Sequence, residues 1–96
     1  MSSIPPTKIL IVDDSALYRQ LIHNVLRECS DAAVVGSAAN GREALEKIER
    51  LRPELLTLDV QMPDMNGIEL LQEIKRRRLP AKAIMISSFT SEGADV

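Results

Sequence analysis

Aromatic side chains are almost missing: Tyr18 and Phe89 stand alone and there is no tryptophan. A core must therefore be assembled from Leu, Ile, Val, Ala and Met, which is ordinary for a mixed α/β domain. Cysteine is limited to Cys29, which excludes a disulfide framework or a cysteine metal cluster within the chain. Near a helix end, that residue reads as a small buried hydrophobe. His23 is likewise single, with no second His or Cys at ligand spacing, and reads as a solvated helix residue. No apolar run approaches the roughly 18 residues that span a bilayer. Met1 to Thr7 has no basic segment followed by an apolar one. That segment, with two serines and two prolines, reads as a disordered leader, and the chain as cytoplasmic. A large excess of one charge is also missing: 12 basic against 14 acidic residues give a formal charge of -2. Nothing advertises nucleic acid or membrane as a partner. Arg76-Arg77-Arg78, the only basic run, reads as the solvated end of a helix that complements its dipole.

What is present is a regular alternation of strand and helix signals. At 96 residues the chain holds one domain at most. Lys8 to Val12, K-I-L-I-V, is an apolar strand that stops at Asp13-Asp14. Beyond Ser15, a natural N-cap, Leu17, Leu21, Ile22, Val25, Leu26 and Cys29 share one face of a helix. Ala33 to Ala38 is a second strand. Asn40-Gly41-Arg42-Glu43 looks like a capping box opening a helix that buries Ala44, Leu45, Ile48 and Leu51 and ends before Pro53. Leu55 to Leu58 is a third strand, ending in Asp59 and then the turn signals Met62-Pro63-Asp64 and Asn66-Gly67. Asn66 to Glu69 repeats the capping pattern, and Leu70, Leu71 and Ile74 carry a third helix. After Pro80, Ala83 to Ser87 is a fourth strand, and Ser88 to Val96 begins a further helical segment. This order predicts a doubly wound parallel sheet, covered on both faces and connected by right-handed crossovers.

In a sheet of order 2-1-3-4 the first and third strands are neighbours, and the switch point between them is where such folds bind ligands. Asp13, Asp14 and Asp59 then converge in one crevice. Each alone has a local explanation, helix capping for the pair and a side-chain turn for Asp59. Together they are like charges that repel unless a cation lies among them, and hard oxygen ligands favour Mg²⁺. A carboxylate whose surroundings are neutralised by a metal is also a competent phosphoryl acceptor. Ser87, ending the fourth strand, is placed to reach an oxygen of that group. A phosphatase with an aspartyl-phosphate intermediate needs an acid-base carboxylate two residues after the nucleophile. That position is Gln61, which argues against it. A third possibility is an interaction module whose acidic site is vestigial.

The segments I-L-I-V-D-D-S, T-L-D-V-Q-M-P-D-M-N-G and I-M-I-S-S resemble the receiver domain of two-component response regulators, a flavodoxin-like fold. The likeness runs from about Lys8 to Val96. It implies that Asp59 accepts a phosphoryl group from a histidine kinase and ligates Mg²⁺. Asp13 and Asp14 are implied as the acidic pair that holds the metal, Gln61 as the donor of a backbone carbonyl to it, and Ser87 as a hydrogen-bonding hydroxyl for the phosphoryl group. Asn66 stands where many receivers have Asp. A narrower likeness, carried by V-D-D-S-A-L-Y-R and M-I-S-S-F-T-S-E-G-A-D-V, is to the receiver of chemotaxis protein-glutamate methylesterases. It implies a chemotaxis-type kinase as partner and an esterase domain in a full-length protein. No esterase serine or hydrolase domain is present in the 96 residues.

Receivers resemble one another in a fifth strand, which ends in a Lys, and in a final helix. On that pattern, residues 8–96 are expected to be a receiver truncated before both, with Lys82 at the wrong end of its strand to replace the Lys. The fourth strand is then expected to be an open edge, prone to self-association with a second copy.

Overall fold

The structure, a computed structural model, describes residues 4–86. The expected Ser87 hydroxyl and the segment Ser88 to Val96 lie outside the described residues.

Strand and helix alternate as expected: β1 (Thr7–Val12), α1 (Ala16–Arg27), β2 (Ala32–Ala38), α2 (Gly41–Leu51), β3 (Leu55–Asp59), α3 (Gly67–Arg76) and β4 (Lys82–Ile86). The four strands form one parallel sheet in the order β2-β1-β3-β4. Thr7 already belongs to β1, its N–H donating to the Asp31 carbonyl at 2.8 Å.

Register decides which residues share a face. Leu10 pairs with Leu56, which pairs with Ala83; Val12 pairs with Leu58, which pairs with Met85. These rows point at α2 and α3, where Leu10, Val12, Leu56 and Leu58 join Ala44, Leu45, Ile48, Leu70 and Ile74 in the core. The opposite row, Ile11 with Thr57 with Ile84, faces the side on which α1 packs against β1 and β2. One helix on one face and two on the other is what right-handed crossovers require of this strand order.

Helix starts follow local chemistry. Ser15 Oγ accepts from Tyr18 N at 3.2 Å, and Asn66 and Glu69 form a reciprocal capping box. The Asn40 box is only half reciprocal. Asn40 Oδ1 accepts from Glu43 N at 2.9 Å, but the Glu43 carboxylate reaches past Asn40 to the N–H of Ala39. The basic run ends α3 as expected. Glu73 pairs with both Arg76 and Arg77, and Arg77 also reaches Glu49 on α2 at 3.2 Å. Hydrogen bonds from Arg76 and then Arg77 hold the Glu73 carboxyl down to about 2.

α1 departs in part from its expected face. Leu17 and Val25 are 66 % and 65 % exposed, Leu21 is exposed as well, and Cys29 is exposed rather than buried. Of the expected face, Ile22 and Leu26 are turned inward, and Arg19 and His23 join them, so His23 is half-buried. A stripe at i, i+4, i+8 identifies an apolar face but not the side on which a partner lies. Here that outer stripe, with Ile84 at 51 % exposed, has no cover among the described residues.

Truncating Leu56, wholly buried between the strands, to Ala is expected to cost about 2 to 5 kcal/mol in urea unfolding. Leu17→Ala should stay within about 0.5 kcal/mol, as for an exposed site.

Candidate functional site

The C-terminal ends of β1 and β3 deliver the acidic residues to one point. Carboxylate oxygens of Asp13, Asp14 and Asp59 all lie within 4.8 Å of one another. Asp13 and Asp59 are 3 % and 1 % exposed, while Asp14 is exposed and faces the opening. The crevice is walled on one side by Val60, Gln61, Met62, Pro63 and Asn66.

Main-chain groups hold half of each buried carboxylate. Asp13 Oδ1 accepts from Ser15 N at 2.9 Å, while the Asp13 N–H extends the β1–β2 ladder to Ala38 O at 3.0 Å. Asp59 Oδ1 accepts from Gln61 N at 3.2 Å, the side-chain turn that a strand-ending Asp favours. Asp59 Oδ2 is buried with no hydrogen-bond partner among the described residues. A buried carboxylate oxygen left without a donor is costly unless something else binds it. Oxygens from three carboxylates, one of them unpartnered, fit a small hard cation.

Burial pushes the Asp13 carboxyl above its ordinary value. The Ser15 N–H opposes this, Asp59 and Asp14 add to it through their charges, and Arg19 works against it. Arg19 is a neighbour that sequence reasoning missed: its Nη1 donates to the Asp13 carbonyl oxygen at 2.7 Å. The available signal was a guanidinium in the first turn of a helix, where the dipole disfavours a cation.

The turn after β3 runs into the Asn66 cap of α3, as the sequence pattern implied. The left-handed residue is Asp64, at φ 70°, and Gly67 is the first residue of α3. Gly67 N–H donates to Val60 O at 2.9 Å, and a Cβ on Gly67 would lie 2.5 Å from the Asp59 carbonyl oxygen. Glycine is required there by close approach, which lets α3 start directly against the strand that carries Asp59.

Gln61 is exposed next to the cluster. Lys82 pairs with Leu55 at the far end of β3, four residues from Asp59 or roughly 13 Å along the strand. It is remote from the site, as its position in the chain implied.

A parallel 2-1-3-4 sheet with carboxylates converging at the switch point defines a receiver-type domain. The chain belongs to the response regulator receiver domain family, whose family model matches residues 9–95. It is 54 % identical over 88 residues to a protein-glutamate methylesterase/protein-glutamine glutaminase of Geobacillus kaustophilus, a match covering 92 % of this chain and 25 % of that protein. The chain thus spans about a quarter of the length of the curated relatives it matches. Among solved structures, the response regulator domain of Thermotoga maritima CheB is 42 % identical with a TM-score of 0.81, over 92 % of this chain and 65 % of that one. A chain of the CheX–CheY–BeF3–Mg²⁺ complex from Borrelia burgdorferi is 32 % identical with a TM-score of 0.80, over 94 % of this chain and 68 % of that one. The chain is therefore homologous to the regulatory domain of protein-glutamate methylesterases. Among the described residues no helix is long and apolar enough to cross a membrane.

A carboxyl whose pKa is raised by folding stabilises the fold most when protonated, and that stability falls as pH rises from the unfolded value through the folded one. Asp13→Asn, which cannot ionise and keeps an acceptor for Ser15, should raise the Tm of the metal-free protein at pH 7 by a few degrees. The difference should close below about pH 4, as calorimetry in chelator can show.

Proposed function

We propose that this chain is a phospho-accepting switch that takes a phosphoryl group onto Asp59 from the phosphohistidine of a chemotaxis-type histidine kinase. The observation that carries this reading is Asp59 Oδ2, buried and unpartnered among the described residues, beside the oxygens of Asp13 and Asp14. Asp13, Asp14, Asp59 and the Gln61 carbonyl would hold Mg²⁺, which when bound supplies the positive charge that lets a carboxylate and a phosphoryl group approach. A carboxylate oxygen of Asp59 forms the new bond to phosphorus. The bond from phosphorus to the imidazole nitrogen breaks, and the imidazole leaves with its electron pair. The Gln61 N–H contact orients the Asp59 carboxylate for this attack. Water later cleaves the acyl phosphate and restores the carboxylate. Ser87 is assigned the hydrogen bond to the phosphoryl group. In a longer protein of the kind this chain resembles, residues 8–96 would serve as the regulatory unit of an esterase domain.

Incubation with acetyl phosphate and Mg²⁺ should add one phosphoryl group by intact mass. Asp59→Asn and excess chelator should each abolish the gain. A wild-type chain that gains nothing would overturn the reading.

A second copy of the chain is the further partner proposed. Among the described residues β4 pairs only with β3, and Ile84 is half exposed beside it, which leaves an edge open to another strand. Sedimentation should show a dimer as concentration rises, weakened by Ile84→Lys; a monomer throughout would exclude it.

A further inference from the structure

Arg19 has no part in the chemistry just described, yet it touches the acidic turn directly. Its position is determined twice. The Arg19 N–H donates to Ser15 O at 2.9 Å, the first hydrogen bond of α1, and its Nη1 donates to Asp13 O at 2.7 Å. Arg19 lines the groove between α1 and β2 together with Ile11 and His23. The guanidinium thus holds the Asp13 carbonyl, while the Ser15 N–H holds the Asp13 carboxylate.

Asp13 is held at three points. Its N–H is bound to β2, its carboxylate to the cap of α1, and its carbonyl to Arg19. That carbonyl belongs to the peptide joining Asp13 to Asp14, so fixing it fixes the plane from which Asp14 projects. Asp14 is the exposed member of the cluster and is otherwise the one least restrained by burial.

The charge of Arg19 acts in the opposite sense. A guanidinium near a cation site repels the cation, so an arginine acting by charge alone weakens metal binding. An arginine acting through its hydrogen bond strengthens it. We propose that Arg19 is a positioning residue whose hydrogen bond to the Asp13 carbonyl aligns Asp13 and Asp14 with Asp59 for a divalent cation, and that this gain exceeds the repulsion. The proposal rests on the functional reading above for the presence of a metal site, and adds to it a residue outside the carboxylate set.

The two effects have opposite signs, so one titration separates them. Mn²⁺, an oxygen-seeking reporter for such a site, is titrated into the 96-residue chain and followed by the paramagnetic resonance of the free ion. Arg19→Met keeps the apolar stem but loses the donor and the charge. It should weaken Mn²⁺ binding about tenfold, the low end of what a charge-assisted hydrogen bond contributes, with helicity by circular dichroism unchanged. Arg19→Lys, which keeps a cationic donor, should restore binding to within about twofold of wild type. Equal or tighter binding by Arg19→Met would overturn the proposal, as would an Arg19→Lys variant as weak as Arg19→Met. Should Arg19→Met lose helicity, Arg19→Gln takes its place, with weaker binding expected and equal or tighter binding overturning. A wild-type chain that binds no Mn²⁺ defeats the metal reading itself, and the proposal with it. Wild-type binding that is intact and insensitive to Arg19 defeats the proposal alone.

Discussion

Like charges crowded where water cannot screen them set the problem that the rest of the molecule answers. Asp13 and Asp59 are buried, Asp14 is adjacent, and their oxygens fall within 4.8 Å of each other. The chain offsets part of this with main-chain N–H groups, one from Ser15 and one from Gln61. It adds the Arg19 guanidinium at the Asp13 carbonyl. What remains is a negative crevice in which one oxygen of Asp59 has no partner among the described residues. Such a residue of charge favours a small cation and, with it, the approach of an anionic group.

The fold keeps that crevice in place by making its supports stiff. The strands bearing the acids are the two central ones, each paired on both sides, and their side chains are buried in the rows that face α2 and α3. Gly67 lets α3 begin directly against the Asp59 backbone, and the Asn66–Glu69 box fixes the start of that helix. The carboxylate is thus held between a strand paired on both sides and a capped helix, while the opening is lined by the turn from Val60 to Asn66. A charged group at the end of a packed strand beside a surface turn suits a switch, because a switch works by local electrostatics that bias a neighbouring element.

The two faces of the sheet differ in how fully they are covered. On the α2 and α3 side an apolar cluster is complete, extended by Leu51, Leu71 and Met85. On the α1 side, Ile9 and Ile11 are buried, but Leu17, Val25 and Ile84 stay exposed among the described residues. Stability is concentrated on one face and available contact surface on the other. The acidic cluster lies at the end of the sheet between them.

Much of this was readable in advance, for definite reasons. Alternating apolar runs and capping residues disclose element order, since both are local, and the order with right-handed crossovers leaves few sheet topologies. The convergence of Asp13, Asp14 and Asp59 follows from that topology alone. What the sequence by itself determined was therefore which carboxylates meet, and the family to which their motifs belong. Only the tertiary structure decided the inward face of α1, because periodicity defines a stripe without saying what packs on it. Tertiary structure likewise made Gly67 a close-approach residue, brought Arg19 to the Asp13 carbonyl, and left one oxygen of Asp59 without a partner among the described residues. Each depends on atoms from separate elements meeting at hydrogen-bond or contact distance, and a pattern along one chain carries no record of such distances. The charges were legible; their balance was not.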